Sequence, residues 1–165
     1  MAADLVFPPF YQGYIDRVDG DVFEQLRGQQ LATCQLLRSL SSEQWAYRYA
    51  PGKWTLWQSW RHVVDTERIM ATRALRILRG DVGPQPGYDQ DAYAATYLAT
   101  GSPDDLVAEY DAQRRANVLL LGKVDPVLLD QVGIVSNQPM SARALCYILA
   151  GHEAHHLALT RERYL

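Results

Sequence analysis

Apolar residues recur at helical spacing in four long stretches of the chain, separated by polar or Pro/Gly-rich segments. Because an α-helix turns once every 3.6 residues, this spacing predicts helices at residues 21–40, about 55–79, 102 to about 121, and 141 to nearly the C-terminus. No stretch shows the sustained apolar and polar alternation that is typical of strands. The predicted fold class is all-α, most simply a four-helix bundle.

Residues that favour helix ends support these boundaries. Thr55 and Gln58 form a capping-box pair before the second helix, and Gly80 follows its last turn, where a left-handed residue is favoured. Ser102 and Ser141 stand at the N-cap positions of the third and fourth helices. Three of the four helices therefore have local signals that agree with the periodic pattern.

The connection between the second and third helices, residues 80–101, is long and rich in Pro, Gly and Asp. Helices that are neighbours in a bundle usually need only about 2 to 8 linking residues, so this length predicts a long crossover or a pocket wall. We expect a short helical turn within it at 91–98. Further turns are expected after Ser41 and within 125–135, before the chain breaks at 137–139.

Composition and charge narrow the possible functions. The 165 residues are 48% hydrophobic and 21% charged, which predicts one globular domain over residues 1–165. A net charge of −3, spread along the chain, gives no reason to expect nucleic acid or a membrane as partner. No leader pattern occurs in residues 1–10 and no apolar run approaches the ~18 residues of a membrane span. Cys34 and Cys146 are expected as free thiols, so a soluble cytoplasmic protein is predicted.

Three of the four histidines, His152, His155 and His156, fall within five residues of the fourth predicted helix. At about 100° per residue, His152 and His156 lie about 40° apart on its apolar stripe, so both imidazoles can reach one ion. His155, about 60° from His152, is an alternative ligand. Spacing by four is the usual way for a helix to chelate a metal, which favours His156. The alternative is that these are core histidines without a metal, in which case each imidazole would need its own hydrogen-bond partner.

A third ligand is expected, because catalytic zinc usually has three protein ligands and one open position. The only remaining histidine is His62, at the margin of the apolar stripe of the second helix. We therefore predict a divalent metal held by His62, His152 and His156. Zinc and nickel suit three imidazoles, and so do copper and iron(II).

Glu67 lies near the centre of the same stripe, where a carboxylate is costly unless it is paired. Two interpretations are open: it orients a ligand histidine or acts as a base, or it forms a salt bridge with an arginine. Glu153 is the second candidate proton shuttle. Arg73 lies at the flank of an arginine-rich helix face that is predicted to be solvated.

Two further patterns allow alternative interpretations. His152, Glu153 and His156 match the zincin motif His-Glu-x-x-His, but the motif ends nine residues from the C-terminus and no upstream strand is predicted to bind a peptide. A metalloprotease is therefore disfavoured. Several aromatic residues precede His62 and either pack the end of the core or form an aromatic wall for an organic substrate: Trp45, Tyr47, Tyr49, Trp54, Trp57 and Trp60.

Several of these strings together resemble one known family. They are Lys-Trp-Thr at 53–55, Arg-His-Val-Val-Asp-Thr-Glu at 61–67, Arg-Gly-Asp at 79–81, Tyr-Asp-Gln-Asp at 88–91 and Gly-His-Glu-Ala-His-His at 151–156. Their order and spacing resemble the DinB/YfiT-like superfamily from about residue 20 to the end. The resemblance implies an up-down-down-up four-helix bundle, frequently dimeric, with one metal-binding histidine on the second helix and two on the fourth.

The resemblance also implies candidate activities. Some members are metal-dependent transferases that use a low-molecular-weight thiol, so we expect a metal at His62, His152 and His156 that activates a thiol or water against a small electrophilic substrate. Glu67 or Glu153 would move the proton, and the protein would be a homodimer. The alternative is a non-catalytic, stress-related binding protein in which the metal is structural.

Overall fold

The computed structural model describes residues 5–97 and 101–165, which contain four long helices, several short ones and one small hairpin. The helices are α1 (Gln12–Ile15), α2 (Val22–Arg38), α3 (Ser42–Ala46), α4 (Leu56–Leu78), α5 (Gln90–Ala94), α6 (Pro103–Leu121), α7 (Pro126–Leu129) and α8 (Ala142–Leu159). A 3₁₀ turn at Pro9–Tyr11 precedes α1, and a π-helical turn at Thr160–Tyr164 extends α8. The four long helices lie within about two residues of the predicted boundaries.

Side-chain contacts give the directions of α2, α4 and α8. Gln29 and Thr33 of α2 donate hydrogen bonds to Ala150 O and the Glu153 carboxylate of α8, in the same order along both helices, so α2 and α8 are parallel. The start of α4 meets the end of α8, where Trp60 Nε1 donates to Thr160 Oγ1, so these two helices are antiparallel.

Helix α6 runs in the direction of α4. Arg61 of α4 pairs with Glu109 of α6, and Gln113 further along α6 donates to Val64 O further along α4. The order is therefore up, down, down and up for α2, α4, α6 and α8. This topology, which the resemblance implies, is confirmed, and it requires the long crossover between α4 and α6.

The predicted helix ends are present. Thr55 and Gln58 make the reciprocal capping box of α4, and Ser102 with Asp105 makes another at the start of α6. Gly80 has φ +83°, the left-handed conformation expected after the end of α4. The turn predicted at 91–98 corresponds to α5; Leu98 lies outside the described residues, as do residues 1–4 of the segment examined for a leader.

The expectation that the chain contains no strand was wrong. Strands β1 (Val132–Val135) and β2 (Gln138–Ser141) pair in an antiparallel hairpin. Ser136 and Asn137, with φ of 50° and 63°, form its two-residue turn. Of the break predicted at 137–139, only Asn137 lies in this turn, because Gln138 and Pro139 belong to β2. The strands have only four residues each and include Pro139, too short a segment to show alternation. The hairpin also pairs with Gln85 of the crossover and closes one end of the core.

The core has an apolar cluster on each side of a buried polar centre. Arg114 of α6 is only 1% exposed and donates to Glu67 of α4 and to Leu26 O of α2. It also forms an ion pair with Glu153 of α8, so this one side chain of α6 contacts the three other long helices. No helix in the described part of the chain is long and apolar enough to cross a bilayer.

Candidate metal centre

Antiparallel packing of α4 and α8 brings three histidines together. His62 lies near the start of α4, while His152 and His156 lie one turn apart near the end of α8. One ligand nitrogen from each ring lies within 4.8 Å of the other two, and all three residues are buried. His62 Nε2 and His152 Nε2 are 3.0 Å apart. The structure therefore groups the three residues that the sequence suggested as ligands.

Hydroxyl groups hold the other ring nitrogens of two of these histidines. Ser59 Oγ lies 3.0 Å from His156 Nδ1, and Thr66 Oγ1 lies 3.3 Å from His62 Nδ1 and 3.5 Å from Nε2 of the same ring. Thr66 Oγ1 is also 2.6 Å from the Tyr88 hydroxyl. When a hydroxyl accepts the Nδ1 proton, the Nε2 lone pair of the same ring stays available. These contacts orient the imidazoles toward each other.

Burial keeps all three imidazoles neutral near pH 7. It lowers the pKa of His62 to about 4, although Asp65 and Asp91 oppose the shift. Burial and the neighbouring histidines hold the pKa of His152 and His156 well below the usual value. A neutral imidazole is the form that binds a metal, so each ring has a lone pair to donate.

The donor set fits a divalent cation. Two buried Nε2 atoms that face each other at 3.0 Å share at most one proton between them, whereas one cation accepts both lone pairs. In a tetrahedral zinc site with bonds of about 2.0–2.1 Å, ligand nitrogens lie about 3.3 Å apart, close to this separation. Three imidazoles would leave a fourth position for a water or substrate atom.

The alternative ligand His155 lies outside this group. It is half-buried and does not belong to the three-residue cluster, although its ring lies 5.2 Å from that of His156. The Tyr14 ring makes edge contacts with His152 at 5.3 Å and with His155 at 5.6 Å. Geometry thus favours His156 over His155, as the spacing by four suggested.

The candidate proton shuttles Glu67 and Glu153 lie in the polar centre of the core. Both Glu67 oxygens accept from Arg114, at 2.9 and 2.7 Å, which is the ion pair that the sequence left open. Glu153 accepts from Thr33 at 2.5 Å and from Tyr110 at 2.7 Å. Within the described residues neither carboxylate has a hydrogen bond to a clustered histidine. Their role in proton transfer stays a prediction, and the zincin interpretation gains no support from Glu153.

Two cavities open next to the histidine cluster. One has a volume of about 460 Å³ and contacts His62 and His152, and the other, about 420 Å³, contacts His62 and His156. Tyr14 and Gln90 line both cavities. Both volumes fall within the range of small-molecule sites. The crossover supplies Gln90 and therefore forms a pocket wall, as its length suggested.

Some of the aromatic residues before His62 pack in the core and others line a cavity beside the histidines. Trp45 and Trp60 are buried in the core, at 4% and 0% exposure. Trp54 packs on His62 with ring centroids 5.0 Å apart and lines the smaller cavity with Tyr49. The aromatic wall is therefore Trp54 and Tyr49, to which Tyr164 of the C-terminal turn contributes.

The prediction of a solvated Arg73 was wrong. Its side chain is buried at 4% exposure and lines the larger cavity together with His62 and His152. The helical pattern placed Arg73 at the edge of an exposed face, but the crossover and the β1–β2 hairpin cover that edge of α4. Pro86 O and Ser136 Oγ, which lie in these segments, accept hydrogen bonds from it.

Sequence reasoning missed the hydroxyl partners of the ligand histidines. Thr66 lies four residues after His62, hence on the same face of α4, and this spacing is the signal that could have identified it. Ser59 bonds a histidine on another helix, and Tyr14 belongs to an N-terminal segment without a strong helical pattern. Neither contact is encoded in local spacing.

The Ser59 contact gives a first prediction. Ser59→Ala is expected to weaken metal binding by about 10- to 100-fold, because His156 loses the partner that fixes its ring orientation. Competition titration with a chromogenic chelator measures this affinity. Ser42→Ala, an exposed serine in α3, is the control and should leave the affinity unchanged. Equal affinities for Ser59→Ala and the unmodified protein would contradict the orienting role.

A family model described as the DinB superfamily matches residues 25–159 of the chain. The chain belongs to the DinB superfamily. The match includes all three clustered histidines and all four long helices apart from the first turn of α2. No protein among the curated sequences matches the chain.

Solved structures share this superfamily fold at low sequence identity. YfiT from Bacillus subtilis, described as a probable metal-dependent hydrolase with an unusual four-helix bundle topology, is 18% identical, with a TM-score of 0.69. That similarity covers 98% of this chain and 91% of YfiT. A DinB-like protein from the same species is 16% identical, with a TM-score of 0.59, over 84% of this chain and 86% of that one. Both of these structures are similar to this chain in fold.

Proposed function

We propose that this protein is a metal-dependent enzyme, a hydrolase or a transferase, whose single divalent cation is held by His62, His152 and His156. The observation that carries the proposal is the convergence of three buried, neutral imidazoles at a point that borders two cavities. A structural site needs no adjoining space, whereas a catalytic site needs room for a substrate. The description of YfiT as a probable metal-dependent hydrolase supports the same class.

The bound cation would supply a Lewis acid that lowers the pKa of a water or thiol and makes it a nucleophile near neutral pH. The protein's own residues provide the setting. Ser59 and Thr66 fix the ligand rings, and Tyr14 covers His152. Trp54 and Tyr49 offer apolar surface to an organic substrate on one side. A nucleophile and an electrophile could therefore approach from separate cavities.

Four single variants test the ligand set. His62→Ala, His152→Ala and His156→Ala should each lose stoichiometric metal, because two imidazoles do not complete a three-ligand site. His155→Ala is the matched control and should retain about one ion per chain. Elemental analysis of protein purified without a nickel column measures the content. Full metal occupancy in any of the first three variants would remove that residue from the site.

Activity is tested with the protein loaded with zinc or nickel, the metals that we propose. The reactions are hydrolysis of an activated ester and conjugation of a low-molecular-weight thiol with a small electrophile. Either rate should fall to background in His152→Ala and persist in His155→Ala. Equal rates for the unmodified protein and His152→Ala in both assays would defeat the enzymatic proposal. The thiol co-substrate and the homodimer stay predictions from the resemblance.

The alternative function is a binding protein whose metal is structural. It draws support from the ligands' positions on two helices, α4 and α8, which a cation would cross-link. This alternative predicts a large fall in melting temperature on complete chelation and no activity in either assay. An unchanged melting curve after chelation would rule it out.

A further inference from the structure

Arg73 is a buried cation without a buried anion. The described residues contain no acidic side chain that forms an ion pair with it, and its hydrogen-bond partners are uncharged. Arg73 donates to Pro86 O at 2.5 Å, to Ser136 Oγ at 3.4 Å and to Met70 Sδ at 3.4 Å. The Tyr88 ring lies 5.9 Å from the centre of the guanidinium. These contacts position the group but do not neutralise it.

Other arginines of the same bundle show how this chain normally treats a shielded guanidinium. Arg114 has two carboxylates, Glu67 and Glu153. Arg61, with 15% of its side chain exposed, has Asp65 and Glu109. A buried charge is costly unless an opposite charge compensates it. Arg73 is the exception among these three, and it lines the cavity that His62 and His152 also line.

The larger cavity places Arg73, His62 and His152 around one space. Besides these residues its lining combines apolar surface from Met70 and Ile148 with the Tyr88 side chain. Its volume of about 460 Å³ admits a small organic molecule. A guanidinium forms paired, charge-assisted hydrogen bonds with a planar carboxylate, which is the complement that the site lacks.

We propose that Arg73 binds the carboxylate of a small organic acid whose apolar body lies against Met70 and Ile148. This inference rests on the proposed function in one respect: the reactive end of the same molecule would face His62 and His152 of the proposed metal site. The substrates expected for this site are therefore small carboxylic acids that carry an ester, amide or electrophilic carbon some distance from the acid group. Arg73 determines specificity and does not touch the reacting atoms.

The test measures binding, so it does not depend on catalysis. Isothermal titration calorimetry compares benzoate with benzamide, a neutral molecule of similar shape, on the unmodified protein, Arg73→Met and Arg79→Met. Arg79, at the exposed end of α4, is the control. Because a carboxylate can also bind a metal ion, every titration is repeated on chelated protein. Benzoate should bind the chelated unmodified protein and Arg79→Met more tightly than benzamide does.

In Arg73→Met the affinity for benzoate should fall by roughly 10- to 100-fold, as expected for the loss of a charged hydrogen-bonding partner. Arg73→Lys, which keeps the charge but not the paired geometry, should lie between the two. The melting temperature without ligand should stay the same or rise in Arg73→Met, because an uncompensated buried charge is removed. That readout also verifies folding.

Three results would overturn the assignment: equal affinities for benzoate and benzamide in the chelated protein, an unchanged benzoate affinity in Arg73→Met and Arg73→Lys, or Arg73-dependent binding of inorganic phosphate but not benzoate. The last result would assign a phosphate site. Failure of the enzymatic proposal is seen separately, in the metal content and in the ester and thiol assays, and leaves these binding measurements intact.

Discussion

Arg114→Met is expected to lower the free energy of unfolding by roughly 3–5 kcal/mol, the cost of removing one partner from a buried ion pair. Burial opposes the charge of Arg114, but Glu153 and Glu67 outweigh burial and raise its pKa well above the usual value. Without the guanidinium, two carboxylates remain in the core, one of them 3% and the other 0% exposed. Denaturant unfolding followed by circular dichroism measures the loss.

The neighbouring Arg115 is the control for this prediction. Its side chain is 64% exposed and pairs with Asp111, so Arg115→Met should change stability by less than about 1 kcal/mol. Combining Arg114→Met with Glu67→Gln and Glu153→Gln should recover part of the loss, because the carboxylates that Arg114 compensates are then absent. Equal stabilities for Arg114→Met and Arg115→Met would show that the ion pairs do not stabilise the bundle.

The prediction also bears on the metal centre. Glu153 follows His152 directly on α8, and Glu67 follows His62 by five residues on α4. Arg114 holds both carboxylates and thereby fixes the rotation of α4 and α8 relative to each other. The ion pairs of these two glutamates with Arg114 therefore connect the two ligand-bearing helices, and their role in proton transfer stays a prediction.

The sequence predicted the bundle because its helical signals are local. Caps such as Thr55 and the apolar stripe of each helix are properties of consecutive residues. The length of the crossover between α4 and α6 also restricts the topology of the bundle. The histidine pair on α8 follows from the same helical period. His62 was predicted as the third metal ligand only because it is the one histidine outside α8. The antiparallel packing of α4 on α8 is the physical reason that it lies beside the other two.

Features that depend on tertiary packing could not be predicted. The burial of Arg73 results from the crossover and the hairpin, which cover α4 from positions distant in sequence. The hairpin itself depends on two left-handed residues, Ser136 and Asn137, in a segment too short to show a period. Tyr14 reaches His152 because the N-terminal segment docks on α8 at a glycine, which the sequence alone does not indicate.

That glycine gives the second large effect. Gly151→Ala is expected to destabilise the protein by about 2–3 kcal/mol, at the upper end of overpacking costs. A methyl group on Gly151 would lie 3.0 Å from Tyr14 Cα and would overlap the carbonyl group of the same residue. Backbone atoms cannot rotate away as a side chain can, so α1 must move off α8 and withdraw the Tyr14 ring from His152.

Gly28→Ala is the matched control, because Gly28 is an exposed residue inside α2 with no atom within 4 Å of an added Cβ. There the same substitution should stabilise the protein by roughly 0.5–1 kcal/mol, since alanine loses less backbone entropy in a helix. Displacement of α1 is measured by the rate of tryptic cleavage after Arg17, which should rise in Gly151→Ala alone. If cleavage and stability in Gly151→Ala match those of the unmodified protein, the N-terminal segment does not depend on close approach at Gly151, and its docking beside the histidines must have another cause.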